Sequence, residues 1–399
     1  MTALDLAPLV ESIRAFALAR KILPSEVTRS LYIAAGHRQT RLVSHHWGEA
    51  KSIAVGDAVP MTAIPEGHLV WGVSTLVGKD GRTKNQWVKT VALSEDPVEM
   101  MARVVDRIES SITPRKPSPL PKGGTPFSED YLAVYPLGDM HLGMYAAARE
   151  AGEDWDTEAA MEIACAAIED LAYHGQPADE ALLINVGDFF HSDNPRNRTA
   201  KSGNPLDVDG RYFEIMEAGL RLKTYMIDCL LRRHKHVRVW TRVGNHDGQS
   251  SLCLAIALQA YYRLDERVTI EVNPSAADYM VFGRVLIGCT HGDTYKAGKP
   301  DEMVATMACD RAEDWGQTDH RYWYVGHVHH RSAKEVRGGI VETFRTLAPK
   351  DAWHAAEGYR AGRDMNRILI HREDGEVARL TTSVGRLRRQ RKLRGEVAL

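Results

Sequence analysis

The sequence lacks long apolar runs, paired cysteines and a strong net charge. No stretch of its 399 residues approaches the roughly 18 consecutive apolar residues that a transmembrane helix needs, so we expect no membrane span. The five cysteines are scattered, odd in number and never arranged as C-x-x-C. This argues against a disulfide framework or a structural zinc site and favours reduced thiols. The formal charge of −2 gives no general attraction to nucleic acid, so any basic surface must be local.

The composition of the chain is that of a globular protein. Hydrophobic residues make up 44% of the chain and charged residues 26%, which are ordinary values for soluble domains. The length suggests two or three domains. The first residues, MTALDLAPLVESIRAF, are acidic and amphipathic rather than signal-like. We therefore expect a cytoplasmic protein.

The first part of the chain predicts two small modules. Residues 1–60 predict short helices, which form either a degenerate helix-turn-helix with its bend at Gly36 or a plain helical packing module. Residues 61–112 predict a β-hairpin followed by a helix. The hairpin turn is Asp80-Gly81, a strong two-residue turn signal. The helix has Asp96 at its N-cap and a capping-box glutamate three residues later.

The rest of the chain predicts a linker, a large domain and a tail. Residues 113–127 contain five prolines, which predicts a semi-extended linker and a domain boundary. Residues 128–383 alternate short apolar strands with helices, which indicates an α/β or α+β domain around a packed sheet. Residues 384–399 are strongly basic. They predict either a solvated helix or disordered tail, or a contact with nucleic acid.

Polar side chains stand at the ends of five apolar runs in the large domain. The runs YPLGDMH, INVGDFF, TRVGNHD, IGCTHGD and YVGHVHH each end in Asp, Asn or His, usually after a glycine. Ligands of open α/β sheets bind beyond the carboxyl ends of the strands, so we expect these ends to converge. The side chains concerned are Asp139, His141, Asp188, Asn245, His246, Asp247, His291, His327 and His329.

Most of these groups are hard or borderline ligands of divalent ions. Taken singly, each motif has a plainer interpretation as a turn, a loop or a buried core histidine. Taken together and in order, the carboxylates, the amide and the imidazoles suit two ions such as manganese, iron or zinc. A pair of ions about 3.5–4 Å apart shares a carboxylate and can activate a bridging water for in-line attack at phosphorus.

The ordered motifs D-x-H, G-D, G-N-H-D, H and G-H-x-H resemble those of the calcineurin-like metallophosphoesterase superfamily. The resemblance runs from residue 131 to about residue 350 and includes all five motifs. It implies a four-layered α/β/β/α sandwich, preceded here by the helical module and the hairpin. It also implies two metal sites that share Asp188: one is completed by Asp139, His141 and His329, and the other by Asn245, His291 and His327.

The resemblance implies roles for the neighbouring side chains as well. His246 would face the phosphate and stabilise or protonate the leaving oxygen. Asp247 would orient His246, unless it only caps a helix or turn. His330 would stay outside the ligand set, as a bystander or a substrate contact.

A finer resemblance bears on the substrate. GDFFHSDNP and GNHD depart from the phosphoprotein-phosphatase pattern and resemble the G-D-x-F-H-x-x-x-P of repair nucleases of the SbcD type. This makes His191 a candidate substrate contact, and Arg196 and Arg198 a candidate phosphate clamp. A solvated loop is the alternative for all three residues. The order of modules resembles phosphoesterases of phages and prophages, but no long C-terminal capping domain follows, which puts an SbcD-like exonuclease activity and its ATPase partner in doubt.

The sequence therefore predicts a two-metal phosphoesterase that hydrolyses phosphodiester bonds of DNA or RNA by attack of a metal-bridging hydroxide. The predicted cofactors are two divalent ions, Mn²⁺ before Fe or Zn, and the predicted partner is nucleic acid. One alternative is a phosphodiesterase or phosphatase for a small nucleotide, which would use the same ligands. Another is a non-catalytic DNA-binding protein whose metal site is structural.

Overall fold

The computed structural model describes a large part of the chain. Contacts divide the chain into Met1–Ala102 and Arg103–Leu399, and the described parts of these two units are treated separately. The predicted helical module and the helix after the hairpin lie outside the described residues. The described residues are 68–77, 83–92, 113–120, 127–199, 203–295, 298–350 and 361–393.

The described part of the first unit is the predicted hairpin. Strand β1 spans His68–Val77 and strand β2 spans Thr83–Ala92. The two strands pair antiparallel, with a register shift between Val70 and Gly72.

The second unit contains a six-stranded sheet with the order β13-β12-β3-β4-β5-β6. Strands β3 to β6 are parallel, and β12 and β13 extend the sheet antiparallel beyond β3. Helices lie in the connections between the parallel strands, because parallel neighbours need a long crossover connection. The strands are β3 (Tyr131–Leu137), β4 (Glu180–Asn185), β5 (His236–Thr241), β6 (Val268–Glu271), β12 (Asp364–His371) and β13 (Gly375–Ser383).

A second sheet has five strands in the order β10-β11-β9-β8-β7. Its central strands β8, β9 and β11 are parallel, and both edge strands are antiparallel to their neighbours. The strands are β7 (Asp278–Phe282), β8 (Val285–Thr290), β9 (His320–Val325), β10 (Ser332–Val336) and β11 (Gly339–Thr343).

The described part of the second unit also contains seven helices, which alternate with these strands or follow them along the chain. Thr157–His174 begins with a capped turn, because the Asp156 side chain accepts from the backbone N–H of Ala159 at 2.8 Å. The helices are α1 (Ala148–Ala151), α2 (Thr157–His174), α3 (Tyr212–Leu231), α4 (Gly248–Tyr262), α5 (Pro300–Asp310), α6 (Ala312–Gln317) and α7 (Val384–Leu393).

The apolar side chains of the strands sort these elements into four layers. In β3, Ala133 and Tyr135 belong to the apolar cluster that includes side chains of α2, α3, α4 and α7. Leu132 and Val134 belong instead to the cluster between the two sheets. This is the two-residue alternation of a strand that is buried on both faces. A third cluster covers the outer face of the second sheet with α5. The predicted α/β/β/α sandwich is confirmed.

The predicted linker lies against the second unit in its described part. Residues 113–120 form neither helix nor strand. The backbone N–H of Arg115 donates to the carbonyl oxygen of Tyr261 at 2.8 Å, and that of Ser118 donates to the Asp265 carboxylate at 2.9 Å. None of the helices among the described residues is long and apolar enough to cross a membrane.

Candidate metal centre

The predicted ligands follow the carboxyl ends of five strands, three from one sheet and two from the other. Because β3, β4 and β5 are parallel, and β8 and β9 are parallel, the loops that follow the strands of each sheet leave at the same edge. The structure brings all seven predicted ligands into one connected cluster of side chains: Asp139, His141, Asp188, Asn245, His291, His327 and His329.

The backbone is strained at four of these seven positions. His141, Asp188, His327 and His329 have φ angles of 46°, 48°, 68° and 54°, in the left-handed region that non-glycine residues rarely adopt. Only two further non-glycine residues of the described chain share that region, Asn197 and Arg337. Strain of about 1–3 kcal/mol per residue persists where the surrounding structure fixes a functional geometry, so its concentration here supports a functional site.

Two glycines let the backbone approach the carboxylates closely. A Cβ at Gly244 would lie 2.0 Å from Oδ1 of Asp188, and one at Gly326 would lie 2.7 Å from Oδ1 of Asp139. Both distances are too short for any side chain. The glycines of the G-N-H-D and G-H-x-H motifs are therefore required by the packing of the cluster.

His291 presents one ring nitrogen to two oxygen atoms. Its Nδ1 lies 3.0 Å from the carbonyl oxygen of Val186, which can only accept, so Nδ1 carries a proton. Its Nε2 lies 3.1 Å from Oδ1 of Asn245 and 3.1 Å from Oδ2 of Asp188. When the ring is neutral, Nε2 faces these two oxygen atoms as a third electron-pair donor, and either a proton on Nε2 or a bound metal ion balances the set. The backbone bond to Nδ1 orients the ring as it does in metal-ligating histidines.

A second group of donors surrounds His329. Its Nε2 lies 3.2 Å from Nε2 of His141 and 3.5 Å from Oδ2 of Asp139. Asp139 is fully buried, and both of its oxygens accept from the backbone N–H of His327, at 3.0 and 2.8 Å. Imidazole and carboxylate donors in this arrangement could hold a divalent ion.

In the protein without metal, the pKa values of Asp139 and Asp188 are shifted in opposite directions. Burial raises the pKa of Asp139 to about 7, since the opposing attraction of His291 is smaller. Burial would also raise the pKa of Asp188, but His291 and the backbone N–H of His246 outweigh it and lower this pKa to about 2. Burial opposes the charge on His291, yet Asp188 and Asp139 raise its pKa to about 10. The proton on His291 thus supplies the positive charge that the donor set demands.

His246 lies beside these groups with a defined tautomer. Its backbone N–H donates to Oδ1 of Asp188 at 2.8 Å, and its Nδ1 lies 2.9 Å from the carbonyl oxygen of His191. Nδ1 therefore carries a proton, and Nε2 is left to hold or release one.

Asp247 was predicted to orient the His246 ring, but the hydrogen bonds of its carboxylate go to other groups. Its carboxylate accepts from the backbone N–H of Gly244 at 2.8 Å, from that of Phe190 at 3.1 Å and from the hydroxyl of Ser251 at 2.6 Å. It is fully buried, and burial together with the charge of Asp188 raises its pKa to about 6. Asp247 fixes the loop that carries His246, and it precedes helix α4.

His191 lies behind His141 rather than on an exposed loop. It is 2% exposed, and its Nδ1 is 3.3 Å from Nδ1 of His141. The rings of His191 and His246 stack with their centroids 5.5 Å apart. His141, His191 and His246 also offer nitrogen atoms that all lie within 4.8 Å of one another. This placement makes His191 a support for the His141 ring or a further donor.

The two predicted phosphate-clamp arginines lie on the surface of the loop after β4. Both are exposed. The guanidinium of Arg198 donates to the carbonyl oxygen of Gly203 at 2.7 Å, and the backbone N–H of Arg196 donates to the Asn194 side chain at 3.0 Å. His330 is also exposed, and its Nδ1 lies 2.9 Å from the carbonyl oxygen of Val328.

Asp193 is a functional candidate that the sequence analysis missed. Its Oδ1 accepts from the backbone N–H of Ser250 at 2.7 Å and from the Ser250 hydroxyl at 2.7 Å. It also accepts from the backbone N–H of Gln249 at 3.0 Å. Asp193 thereby caps the first turn of α4 and ties the loop of His191 to the loop of His246. No local signal marks it, because its partners lie 56 and 57 residues away.

The basic C-terminal segment forms helix α7 in its described part, and several of its charges are paired. Arg386 bonds to Asp170 at 3.3 Å, Arg388 to Glu153 at 2.7 Å, and Arg391 to Glu162 at 2.6 Å. Two of these three acids belong to α2. Much of the positive charge of this helix is thus used in holding it to the domain.

Comparisons with known proteins add similarities of fold. No family model matches the chain, and no curated protein matches it significantly. A predicted phosphoesterase from Streptococcus pneumoniae is 12% identical, with 63% of this chain and 98% of that chain covered and a TM-score of 0.27. A structure of a novel archaeal phosphodiesterase is 13% identical, with coverages of 63% and 99% and a TM-score of 0.31. Vps29 from Entamoeba histolytica in complex with zinc is 12% identical, with coverages of 63% and 98% and a TM-score of 0.26. At these scores the function has to be inferred from the side chains themselves.

Proposed function

We propose that this protein is a metal-dependent phosphoester hydrolase that cleaves phosphodiester bonds, with DNA or RNA as its substrate. The observation that carries the proposal is the convergence of seven carboxylate, amide and imidazole donors at the ends of five strands, four of them on strained backbone. Strain and donor set together are difficult to explain as fold stabilisation, since each strained residue costs about 1–3 kcal/mol.

The donor set fits two divalent ions. Asp188, Asn245, His291 and His327 would hold one, and Asp139, His141, Asp188 and His329 the other, so that Asp188 is shared. Zinc, iron and manganese all accept such mixed oxygen and nitrogen donors. Bound ions would supply Lewis-acid charge at a phosphoryl oxygen and lower the pKa of a coordinated water.

The chain's own residues contribute positioning and a proton. The Val186 carbonyl oxygen holds the proton of His291 on Nδ1 and leaves Nε2 directed at Asn245 and Asp188. The His191 carbonyl oxygen does the same for His246. In its protonated form His246 can therefore give a proton from Nε2 to the departing oxygen, which is the role of a general acid.

A screen of substrates tests this proposal. Purified protein with added Mn²⁺, Zn²⁺ or Fe²⁺ is offered single- and double-stranded DNA, RNA and methyl p-nitrophenyl phosphate, with the His246→Ala protein alongside. We expect cleavage of nucleic acid and of the small diester, with the turnover of His246→Ala reduced by about 10²–10⁴-fold. Turnover of the small diester without cleavage of any nucleic acid would refute the nuclease assignment. No metal-dependent turnover of any ester would refute the hydrolase.

A small nucleotide is the second candidate substrate. It is favoured by a cavity next to His329 with a volume of about 320 Å³, which is within the usual size range of small-ligand sites. Affinity for long DNA that falls steeply with salt, as counterion release requires, would favour the polymer. Salt-independent KM values for mononucleotide esters would favour the small substrate.

A further inference from the structure

A cavity lies beside the candidate metal centre, and most of the residues that line it are not predicted metal ligands. His329 is both a predicted ligand and part of the cavity wall. The other walls come from residues 151–153, which include the end of α1, from residues 346 and 348–350, and from residues 361–363. Any group that enters the cavity therefore lies next to a substrate phosphate held at the metal centre.

The cavity is fixed to the segment that carries Asp139. The hydroxyl of Thr346, on the wall, donates to the backbone carbonyl oxygen of Asp139 and accepts from the backbone N–H of Ala348 at 2.9 Å. Gly138 lies so close to Arg345 that a Cβ on it would be 2.2 Å from the carbonyl oxygen of Arg345. The wall and the ligand segment thus form one packed unit, which sets the cavity at a constant distance from the centre.

The charged groups of the cavity leave a surplus of positive charge. Three charged side chains line it: Lys350, Arg363 and Glu153. Glu153 accepts from two guanidinium groups, those of Arg363 and Arg388. Among the side chains that line the cavity, two cations, Lys350 and Arg363, therefore face one anion, which is an excess of one positive charge.

The guanidinium groups of Arg363 and Arg388 are held in place by the protein. Arg363 donates to the carbonyl oxygen of Leu347 at 2.9 and 2.6 Å, and its guanidinium carbon lies 4.8 Å from the centre of the Trp155 ring. Burial lowers the pKa of Arg363 to about 10, so it stays charged at neutral pH. Within the described ranges, no acidic side chain pairs with the Lys350 ammonium group. Lys350 is therefore the cation that can meet a ligand.

Apolar residues complete the lining: Ala151, Ala348, Pro349 and Ala361. A cavity that combines apolar walls with the ammonium group of Lys350 suits a group with a flat or carbon-rich body and one negative charge. A nucleotide unit has both properties, since its sugar and base offer apolar faces and its phosphate is anionic.

We propose that this cavity binds the nucleotide next to the scissile bond and that Lys350 pairs with the phosphate of that nucleotide. The inference rests on the proposed function and narrows it. The preferred substrate carries a second phosphate beside the one that is cleaved. That phosphate belongs either to a nucleic acid strand or to a small nucleotide with a terminal phosphate.

The test compares dithymidine dinucleotides with and without a terminal 5′ or 3′ phosphate, and methyl p-nitrophenyl phosphate as a diester without a nucleotide. In the Lys350→Ala protein we expect KM to rise about tenfold for the dinucleotide whose terminal phosphate the wild type prefers, because a charge-assisted hydrogen bond is lost. The KM for the dinucleotide without a terminal phosphate and for methyl p-nitrophenyl phosphate should change by less than about twofold. Lys116→Ala is the matched control. Lys116 is exposed and follows Arg115, which bonds to Tyr261 near the end of α4, and it should leave all KM values unchanged.

A second variant tests the cavity itself. Ala361 is exposed and lines the cavity, so Ala361→Trp fills it without changing charge. We expect KM to rise for every dinucleotide and to stay constant for methyl p-nitrophenyl phosphate. An oligonucleotide of mixed sequence distinguishes the two sources of the second phosphate. If the strand is the source, Lys350→Ala raises its KM as well; if a small nucleotide is the source, only the dinucleotides respond.

Binding without turnover separates this inference from the proposed function. Calorimetric titration of the phosphorylated dinucleotide into the His246→Ala protein should show about tenfold weaker binding when Lys350→Ala is added. Equal binding with and without Lys350 would overturn the inference, even if the wild-type protein hydrolyses diesters. Wild-type protein that binds the phosphorylated dinucleotide through Lys350 but hydrolyses no ester would overturn the proposed function alone.

Discussion

One methyl group at Gly244 is expected to disrupt the shared carboxylate of the centre. The Cβ of alanine at this position would lie 2.0 Å from Oδ1 of Asp188 and 2.5 Å from its backbone nitrogen. Real Cβ atoms essentially never come within 3.0 Å of another heavy atom. The difference between 3.0 and 2.0 Å means that the carboxylate, or the loop that carries Asn245 and His246, must move by about 1 Å.

The expected effect follows from that displacement. A misplacement of about 1 Å at a reacting centre costs on the order of 10²-fold in rate, equivalent to about 2.7 kcal/mol of barrier. Overpacking costs a further 1–3 kcal/mol or so in the free energy of unfolding. We therefore expect Gly244→Ala to stay folded with a lower Tm and to lose about two orders of magnitude in kcat/KM.

The assay is hydrolysis of methyl p-nitrophenyl phosphate with saturating Mn²⁺, together with thermal unfolding followed by circular dichroism. Gly316→Ala is the control, because an added Cβ there has no heavy atom within 4 Å among the described residues. This control should keep the wild-type rate. A Gly244→Ala protein with wild-type kcat/KM would refute the reasoning that the close approach of this backbone to Asp188 is required.

Two further predictions concern stability. Asp193→Ala removes the acceptor for the first turn of α4 and should lower the free energy of unfolding by about 1–2 kcal/mol in urea titrations; an unchanged midpoint would contradict the capping role. Burial lowers the pKa of His234 to about 3 in the folded protein, below its unfolded value of about 6.5. The unfolded chain therefore binds the extra proton first, and stability is present above about pH 6.5 and is lost as the pH falls towards 3. His234→Gln should make the free energy of unfolding of the metal-free protein fall less steeply over that range, and an identical slope would contradict the assignment.

The strand-end motifs could be predicted because their signal is local. Each joins an apolar strand to a polar residue within a few positions, and parallel strands then bring the ends together. The parallel pairing of β3 and β4 places Asp139 and Asp188 at one edge of the first sheet, whereas His291 follows a strand of the second sheet. The alternation of buried faces in β3 likewise follows from the sequence period.

The remaining features depend on contacts between distant segments. Asp247 is adjacent to His246 in sequence, which suggested a direct pair, but its carboxylate bonds to Phe190, 57 residues away. The composition of residues 384–399 predicts a solvated helix, a disordered tail or a nucleic-acid contact, but it does not predict that Arg391 bonds to Glu162, 229 residues away. The cavity wall joins Arg363 to Glu153 across 210 residues. No local pattern encodes partners at such separations.

The most direct test of the central claim is the metal content of the protein after reconstitution with Mn²⁺ and removal of free ion, measured by inductively coupled plasma mass spectrometry. Two sites that share Asp188 should give about two ions per chain in the wild type. Asp188→Asn should retain less than one, because both sites lose the same carboxylate charge. A wild-type protein that binds no metal, or an Asp188→Asn protein with the wild-type content, would contradict the account.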